Sequence, residues 1–399
     1  MIQKMLFIIC CLIIVVISTK ADWVQVSNGI TQPNINALTA NGNYIFAGTN
    51  YTFQGGGVFV TTNNGMNWSV SGIFMQTLSL ASNGNYIYAG TPTSLYRSTN
   101  FGANWNITSL GRWVYDIATT GNHVFAGCRD SGVFISTNYG LNWSQTSLTN
   151  RVVGALAIGG NYIFAGTATY GVYCSTNNGT NWTQTSLNYT SVPALAINGS
   201  TIFAGSSSAL YSSTNNGANW MTTLNNESIY SLAVYGNNIF AGGGGGFFVS
   251  TDNGTSWIQR IEGMPYYLLS LCITNNNVFA GTDGYGVWRR PLSELVGIEP
   301  ISSIVPEEFK LFQNYPNPFN PLTKIKFDIP SNVKRQTSNV KLIIYDIVGK
   351  EIEILVNEQL KPGSYEVDWN ASGYSSGVYF YKMIVDNQQL EPKKMIINK

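Results

Sequence analysis

The sequence predicts an all-β protein: a seven-bladed β-propeller closed by the N-terminal strand, followed by a C-terminal immunoglobulin-like β-sandwich. Three observations predict it. One phrase recurs seven times at even spacing, each period reads as four short strands, and the composition changes sharply near Lys310. Glycine numbers 41 and aromatic residues make up 13% of the 399, which suits short strands and tight turns better than helices. Charged residues are 10% of the chain, against roughly 25% in ordinary soluble domains. The net charge of +1 leaves no basic stripe for phosphates, so nucleic acid is excluded as a partner. His123 is the sole histidine, which removes most histidine-based catalysis and metal chemistry.

Residues 1–21 come first. Met1 to Lys4 is basic, Met5 to Ile17 is apolar, and Ser18-Thr19-Lys20-Ala21 supplies small residues for cleavage. That is a secretory signal peptide, too short to span a bilayer, and no later segment reads as a membrane span. Cys128, Cys174 and Cys272 remain after its removal, at spacings that make neither a disulfide framework nor a metal site. They read as buried thiols acting as small hydrophobes.

Residues 22–290 hold the repeat. Its copies are Phe46-Ala47-Gly48, Tyr88-Ala89-Gly90, Phe125-Ala126-Gly127, Phe164-Ala165-Gly166, Phe203-Ala204-Gly205, Phe240-Ala241-Gly242 and Phe279-Ala280-Gly281. The first and last alanines are 233 residues apart over six intervals, a period of about 39. In the fourth copy, strands are expected at 154–158, 161–166, 171–175 and 181–186. Four strands in about 40 residues is the pattern of a propeller blade.

A second phrase, Ser/Thr-x-Asn/Asp-x-Gly-x-x-Trp, falls between the third and fourth strands six times. Its fixed positions are Asn63, Gly65 and Trp68; Asn100, Gly102 and Trp105; Asn138, Gly140 and Trp143; Asn177, Gly179 and Trp182; Asn215, Gly217 and Trp220; and Asp252, Gly254 and Trp257. The Asn or Asp can bond its own backbone, Gly supplies positive φ, and Trp is expected to open the outer strand and pack on its turn. The phrase resembles the Asp-box (BNR) repeat of sialidases, sortilin-type receptors, xyloglucanases and photosystem II assembly factor propellers. Five copies carry Asn where that family has Asp. The resemblance implies that these positions are fold determinants, not sites. The seventh period lacks the box, and 22–26 resembles the start of the outer strand at 142–146. The first mature strand is therefore expected to complete the last blade, covering an edge that an open array would expose.

Residues 291–309 read as a linker, and 310–399 as a separate domain. There is no lysine between Ala21 and Lys310, whereas 11 lysines follow from 310 onward. Strands are expected at 324–329, 340–346, 350–356, 364–369 and 377–385. The opening Asn314-Tyr315-Pro316-Asn317-Pro318-Phe319-Asn320-Pro321, Tyr345-Asp346-x-x-Gly349, Gly377-Val378-Tyr379 and the ending Lys394 to Lys399 complete the pattern. This tail resembles, along its whole length, the type A C-terminal sorting domain of the type IX secretion system. The resemblance implies a Bacteroidota-like, Gram-negative host, passage through the periplasm, and a secreted or outer-membrane-surface location. It also implies docking to the translocon and clipping by a surface sortase-like peptidase. An ordinary adhesion sandwich is the alternative.

Antiparallel order puts the boxes on one face and the loops between second and third strands, and between blades, on the other. Those loops vary and carry Phe53, Phe74, Arg112, Trp113, Arg129, Asp130, Arg151, Tyr170, Tyr189, Tyr266, Tyr267 and Tyr285. Arg and aromatic side chains are the types enriched at binding hot spots, and aromatic faces also stack on sugars. Trp113, Tyr189 and Tyr267 have a second reading, as wedges between blades. The glycine run 242–246 reads as a flat or mobile loop, and His123 as a solvent-facing turn residue. These features point to a non-catalytic propeller that binds a glycan or protein partner and needs no metal or cofactor. The alternative is a glycosidase-like enzyme using Asp130 and Asp283 across the ring mouth. No Phe-Arg-Ile-Pro element of the sialidase kind is present. A structural spacer is the third option.

Overall fold

Branched and aromatic residues alternate with small or polar ones between Asn/Gly turns, which favours short pleated strands. The computed structural model describes residues 22–398 apart from 52–54, 275, 297–300, 303–304, 332–336, 372–373 and 387. The expected signal peptide 1–21, Phe53 and Lys399 lie outside the described residues. In the fourth repeat the strands are Val153–Gly159, Tyr162–Thr167, Val172–Ser175 and Thr183–Gln184, paired antiparallel in chain order. Five further four-stranded sheets follow this order, beginning with Ile35–Asn41, Ser79–Asn83, Val114–Thr120, Ala194–Asn198 and Ile229–Tyr235. The seventh comprises Leu268–Ile273, Asn277–Thr282, Val287–Pro291 and, outermost, Val24–Gln25. Val24 pairs with Arg289 and Gln25 with Trp288. The innermost strands touch in succession, and Leu268–Ile273 meets Ile35–Asn41 again.

The Phe-Ala-Gly phrase is the joint between blades. Side chains alternate across a strand, so Phe faces one neighbouring blade and Ala the other. Phe46 shares a buried cluster with Ala89, Tyr88 with Ala126, Phe125 with Ala165, and Phe164 with Ala204. Phe203 does so with Ala241, Phe240 with Ala280, and Phe279 with Ala47. The last pair joins the seventh blade to the first. The glycine keeps the next blade close. A Cβ on Gly281 would lie 2.6 Å from Cγ2 of Ile35, in the first blade.

Each box is a second joint. Ser213 Oγ accepts from the Gly217 amide at 2.9 Å and donates to Asn215 Oδ1 at 3.0 Å, which accepts from the Asn219 amide at 2.9 Å. The third position thus needs an acceptor and not a charge, which is why Asn serves in five boxes. Positive φ is not confined to glycine: the preceding Asn64, Phe101, Tyr139, Asn178, Asn216 and Asn253 have φ of 53–56°. Gly217 itself has φ +83°, and a Cβ there would sit 2.6 Å from Thr185 Cγ2 in the preceding blade.

The tryptophans do more than pack on their own turns. Each stands just ahead of the short outer strand, and four bond across to the blade before. Trp105 donates to Ser71 Oγ (3.2 Å), Trp182 to Thr146 Oγ1 (3.2 Å), Trp220 to Thr185 Oγ1 (3.3 Å), and Trp68 to the Val26 carbonyl (2.7 Å). Trp143 alone bonds its own turn, through the Gly140 carbonyl at 3.2 Å. Trp23, also buried, donates to the Arg260 carbonyl at 2.8 Å and meets Phe247 edge-on at 4.8 Å.

The linker begins folded. Leu292 and Leu295, around the one-turn helix Ser293–Val296, are buried with Phe240 and Trp23. In the tail, Lys310–Leu311, Leu322–Ile329 and Gly363–Asn370 form one sheet. Glu351–Leu360, Ser338–Tyr345, Gly377–Val385 and Gln388–Gln389 form a second, which Lys393–Ile397 extends. Phe319, Trp369, Tyr381 and Met395 lie in the shared core. The opening motif is structural: Asn314 Nδ2 donates to Thr323 Oγ1 at 2.9 Å, and the Asn314 amide donates to Tyr381 Oη at 2.7 Å. Asp346 Oδ1 accepts from the amides of Val348 and Lys350, which fixes the turn at Gly349.

If the phenylalanines are the joints, Phe164→Ala will destabilise the protein by about 3–5 kcal/mol in chemical denaturation. Gly217→Ala combines a strained φ with a blade clash and will cost about 1–3 kcal/mol. Gly160→Asn, at an open turn with φ +58°, will stay within about 0.5 kcal/mol of the parent.

Candidate binding face

Antiparallel order turns the loops between second and third strands back to meet the connections between blades. The Arg129 amide bonds the Trp113 carbonyl at 3.0 Å, Gly132 bonds Arg151 at 2.9 Å, and Gly171 bonds Thr190 at 2.9 Å. These contacts unite seven of the expected site residues in a stripe: Arg112, Trp113, Arg129, Asp130, Arg151, Tyr170 and Tyr189. Arg129 lies over the Trp113 ring at 4.6 Å from its centroid, and Arg151 over Tyr170 at 4.3 Å. Arg112 lies 5.7 Å from the Phe134 ring. Stacking on an aromatic face holds a guanidinium in place, and Arg151 also donates one N–H to the Asn150 carbonyl at 2.9 Å. Asp130, at φ +56°, pairs with Arg129 at 3.4 Å in the open. Trp113 Nε1 and Arg151 Nε are buried donors with no hydrogen-bond partner among the described residues.

Tyr266, Tyr267 and Tyr285 form a separate exposed group on blades six and seven. The Tyr267 carbonyl accepts from the Asp283 amide at 3.0 Å, and that of Tyr285 from Gln25 Nε2 at 2.8 Å. Tyr189 is 84% exposed and Tyr267 is also open, so neither is a wedge between blades; Trp113 is half-buried. The glycine run is likewise corrected. A Cβ on Gly243 would strike the Ser228 carbonyl and one on Gly245 the Glu227 carboxylate, so the loop is closely packed. His123 is half-buried at a strand start, its ring 6.4 Å from that of Phe125. Asp283 accepts from Asn34 Nδ2, and Phe74 is exposed between blades one and two.

Inside the ring, all seven innermost strands line a channel of about 270 Å³. Asp116 stands in it, at a bulge, and accepts from the Leu156 amide of the next blade at 2.6 Å. Burial pushes its carboxyl up to about 7. Sequence reasoning passed over this residue because nothing local marks its place in the channel. Cys128, Cys174 and Cys272 are free, and burial raises the Cys128 and Cys272 thiols to about 12. On the opposite face, Asn276 Nδ2 donates to the Asp368 carbonyl at 2.8 Å, so the tail meets the seventh blade on its box side.

Residues 313–398 match the secretion system C-terminal sorting domain. No curated protein matches the chain. Among solved structures, PorZ of Porphyromonas gingivalis, a surface component of the type IX secretion system, is 13% identical with a TM-score of 0.52, covering 93% of this chain and 60% of its own. YCF48 from Cyanidioschyzon merolae is 15% identical (TM-score 0.54; 69% and 100% covered). The extracellular domain of BT4673 from B. thetaiotaomicron is 15% identical (TM-score 0.58; 77% and 44% covered). The chain thus spans under two thirds of PorZ and of BT4673, and at these identities the likeness shows the fold. The protein is a β-propeller carrying a type IX secretion sorting tail. That tail marks it for export to the cell surface or outer membrane.

A carboxyl raised in the fold stabilises fully below about pH 4, and that contribution is lost as pH rises through about 7. Asp116→Asn will therefore raise Tm at about pH 8 and leave it unchanged near pH 4, as thermal scans at both values will test.

Proposed function

We propose that the protein is a secreted or cell-surface, non-catalytic propeller that holds a glycan or protein partner on its loop face. Residues 22–290 form the propeller, 291–309 the linker, and 310–399 an immunoglobulin-like sorting domain that engages the translocon and then a surface peptidase. The segment around Val24 fastens the ring. One observation carries the reading. The box-side residues are engaged between blades, while the opposite face varies from copy to copy and presents guanidiniums stacked on aromatic rings. A YCF48 structure holds a D1 peptide, so a propeller of this fold can accommodate a chain-like partner.

Deleting 310–399 will leave the protein in the periplasm, whereas the full chain reaches the outside; fractionation and immunoblotting will decide between them. Trp23→Ala, which strips the fastening segment of its buried anchor, will destabilise by about 3–5 kcal/mol. In a pull-down from cell-surface material, a variant with Arg129, Arg151 and Tyr170 replaced by Ala will lose the partner that the parent retains. Equal capture by both would remove the loop face from the reading.

A further inference from the structure

We infer that the stripe from Arg112 to Tyr189 binds a linear acidic polysaccharide, with Tyr189 as a sugar-stacking residue; this rests on the loop-face reading above and names its ligand class. The first observation is backbone strain. Three residues ahead of the buried Val114, Val153, Val192 and Ile229 stand Gly111, Asn150, Tyr189 and Asn226, with φ of 57°, 54°, 56° and 59°. Gly and Asn accept the left-handed region readily, whereas a bulky aromatic does not. Tyr189 holds it with 84% of its surface exposed, so no packing explains the ring. Phe101 and Tyr139 hold the same conformation in the boxes, stacked on Tyr44 and Tyr86 at 4.8 and 4.7 Å, whereas Tyr189, like Tyr267 at φ 68°, holds it in the open, where strain points to a use other than packing.

The second observation is chemical. The stripe carries three guanidiniums against the single carboxylate of Asp130, which already faces Arg129. A ligand must therefore bring acceptors and negative charge. A peptide backbone would bring amide donors that need acceptors here. A uronate chain brings carboxylates for the arginines and a flat C–H ring face for the open Tyr189 ring. The third is repetition. Arg129 on Trp113 and Arg151 on Tyr170 occupy successive loops joined by backbone bonds, and Tyr189 follows at the next seam. A ladder of like units fits a polymer with a repeating unit better than a compact monomer.

Calorimetry and affinity electrophoresis on the full chain, with polygalacturonate, alginate and hyaluronate, test this. Neutral galactomannan and poly-L-glutamate serve as controls. At least one acidic polysaccharide will bind, more weakly as salt rises. Tyr189→Asn, the residue two sister blades carry, will weaken binding about tenfold while holding or raising Tm. Arg129→Gln with Arg151→Gln will weaken it further and flatten the salt dependence. Three results would overturn the inference: no acidic polysaccharide bound, galactomannan bound as well, or poly-L-glutamate bound equally and indifferent to Tyr189→Asn. If the pull-down partner still depends on Arg129, Arg151 and Tyr170, the ligand class alone falls. If that dependence is also missing, the loop-face reading falls with it.

Discussion

The structure depends on one contact made seven times: a fully buried aromatic ring from one blade set against the alanine of the next. A four-stranded sheet this small exposes two apolar faces and cannot bury either alone. Strand alternation assigns the ring to one face and the methyl to the other, so every blade is both donor and recipient. An array with two free ends would leave one ring and one alanine in water. Phe279 meets Ala47 instead, so the contact that builds each seam also joins the ends. The boxes reinforce the same seams. Their glycines press on the preceding blade, and four tryptophan N–H groups reach across to it.

This arrangement divides the molecule by function. Box-side residues are committed between blades, and the tail approaches from that side through Asn276 and Asp368. The opposite loops have no comparable duty. They hold guanidiniums over aromatic rings, two unpaired buried donors, and an aromatic residue in a backbone conformation that suits glycine.

The architecture was legible because its determinants are local and repeated: turn chemistry, strand period and a fixed phrase lie within about 39 residues. Residues 22–26 resemble an outer strand in the sequence, and Val24–Gln25 pairs with Arg289 and Trp288. Other features were hidden because they concern neighbours one period away. Nothing near Trp182 reveals that its N–H reaches Thr146, nor does anything near Asp116 place it in a channel beside the Leu156 amide. The left-handed backbone of Tyr189 was equally hidden, since the neighbouring Asn188, and not the tyrosine, is the residue type that signals such a turn. The glycine run misled for a related reason. Glycine there reflects close approach by Glu227 and Ser228, and not looseness.

Amide hydrogen exchange under native conditions tests the equivalence of the seven seams most directly. If the ring is closed by like contacts, Val287–Pro291 and the amides of Val24–Val26 will exchange as slowly as the corresponding third and outer strands of the other sheets, opening only with the whole ring. Fast exchange confined to those two segments, with the remaining six sheets protected, would contradict it and describe a stack with a frayed end.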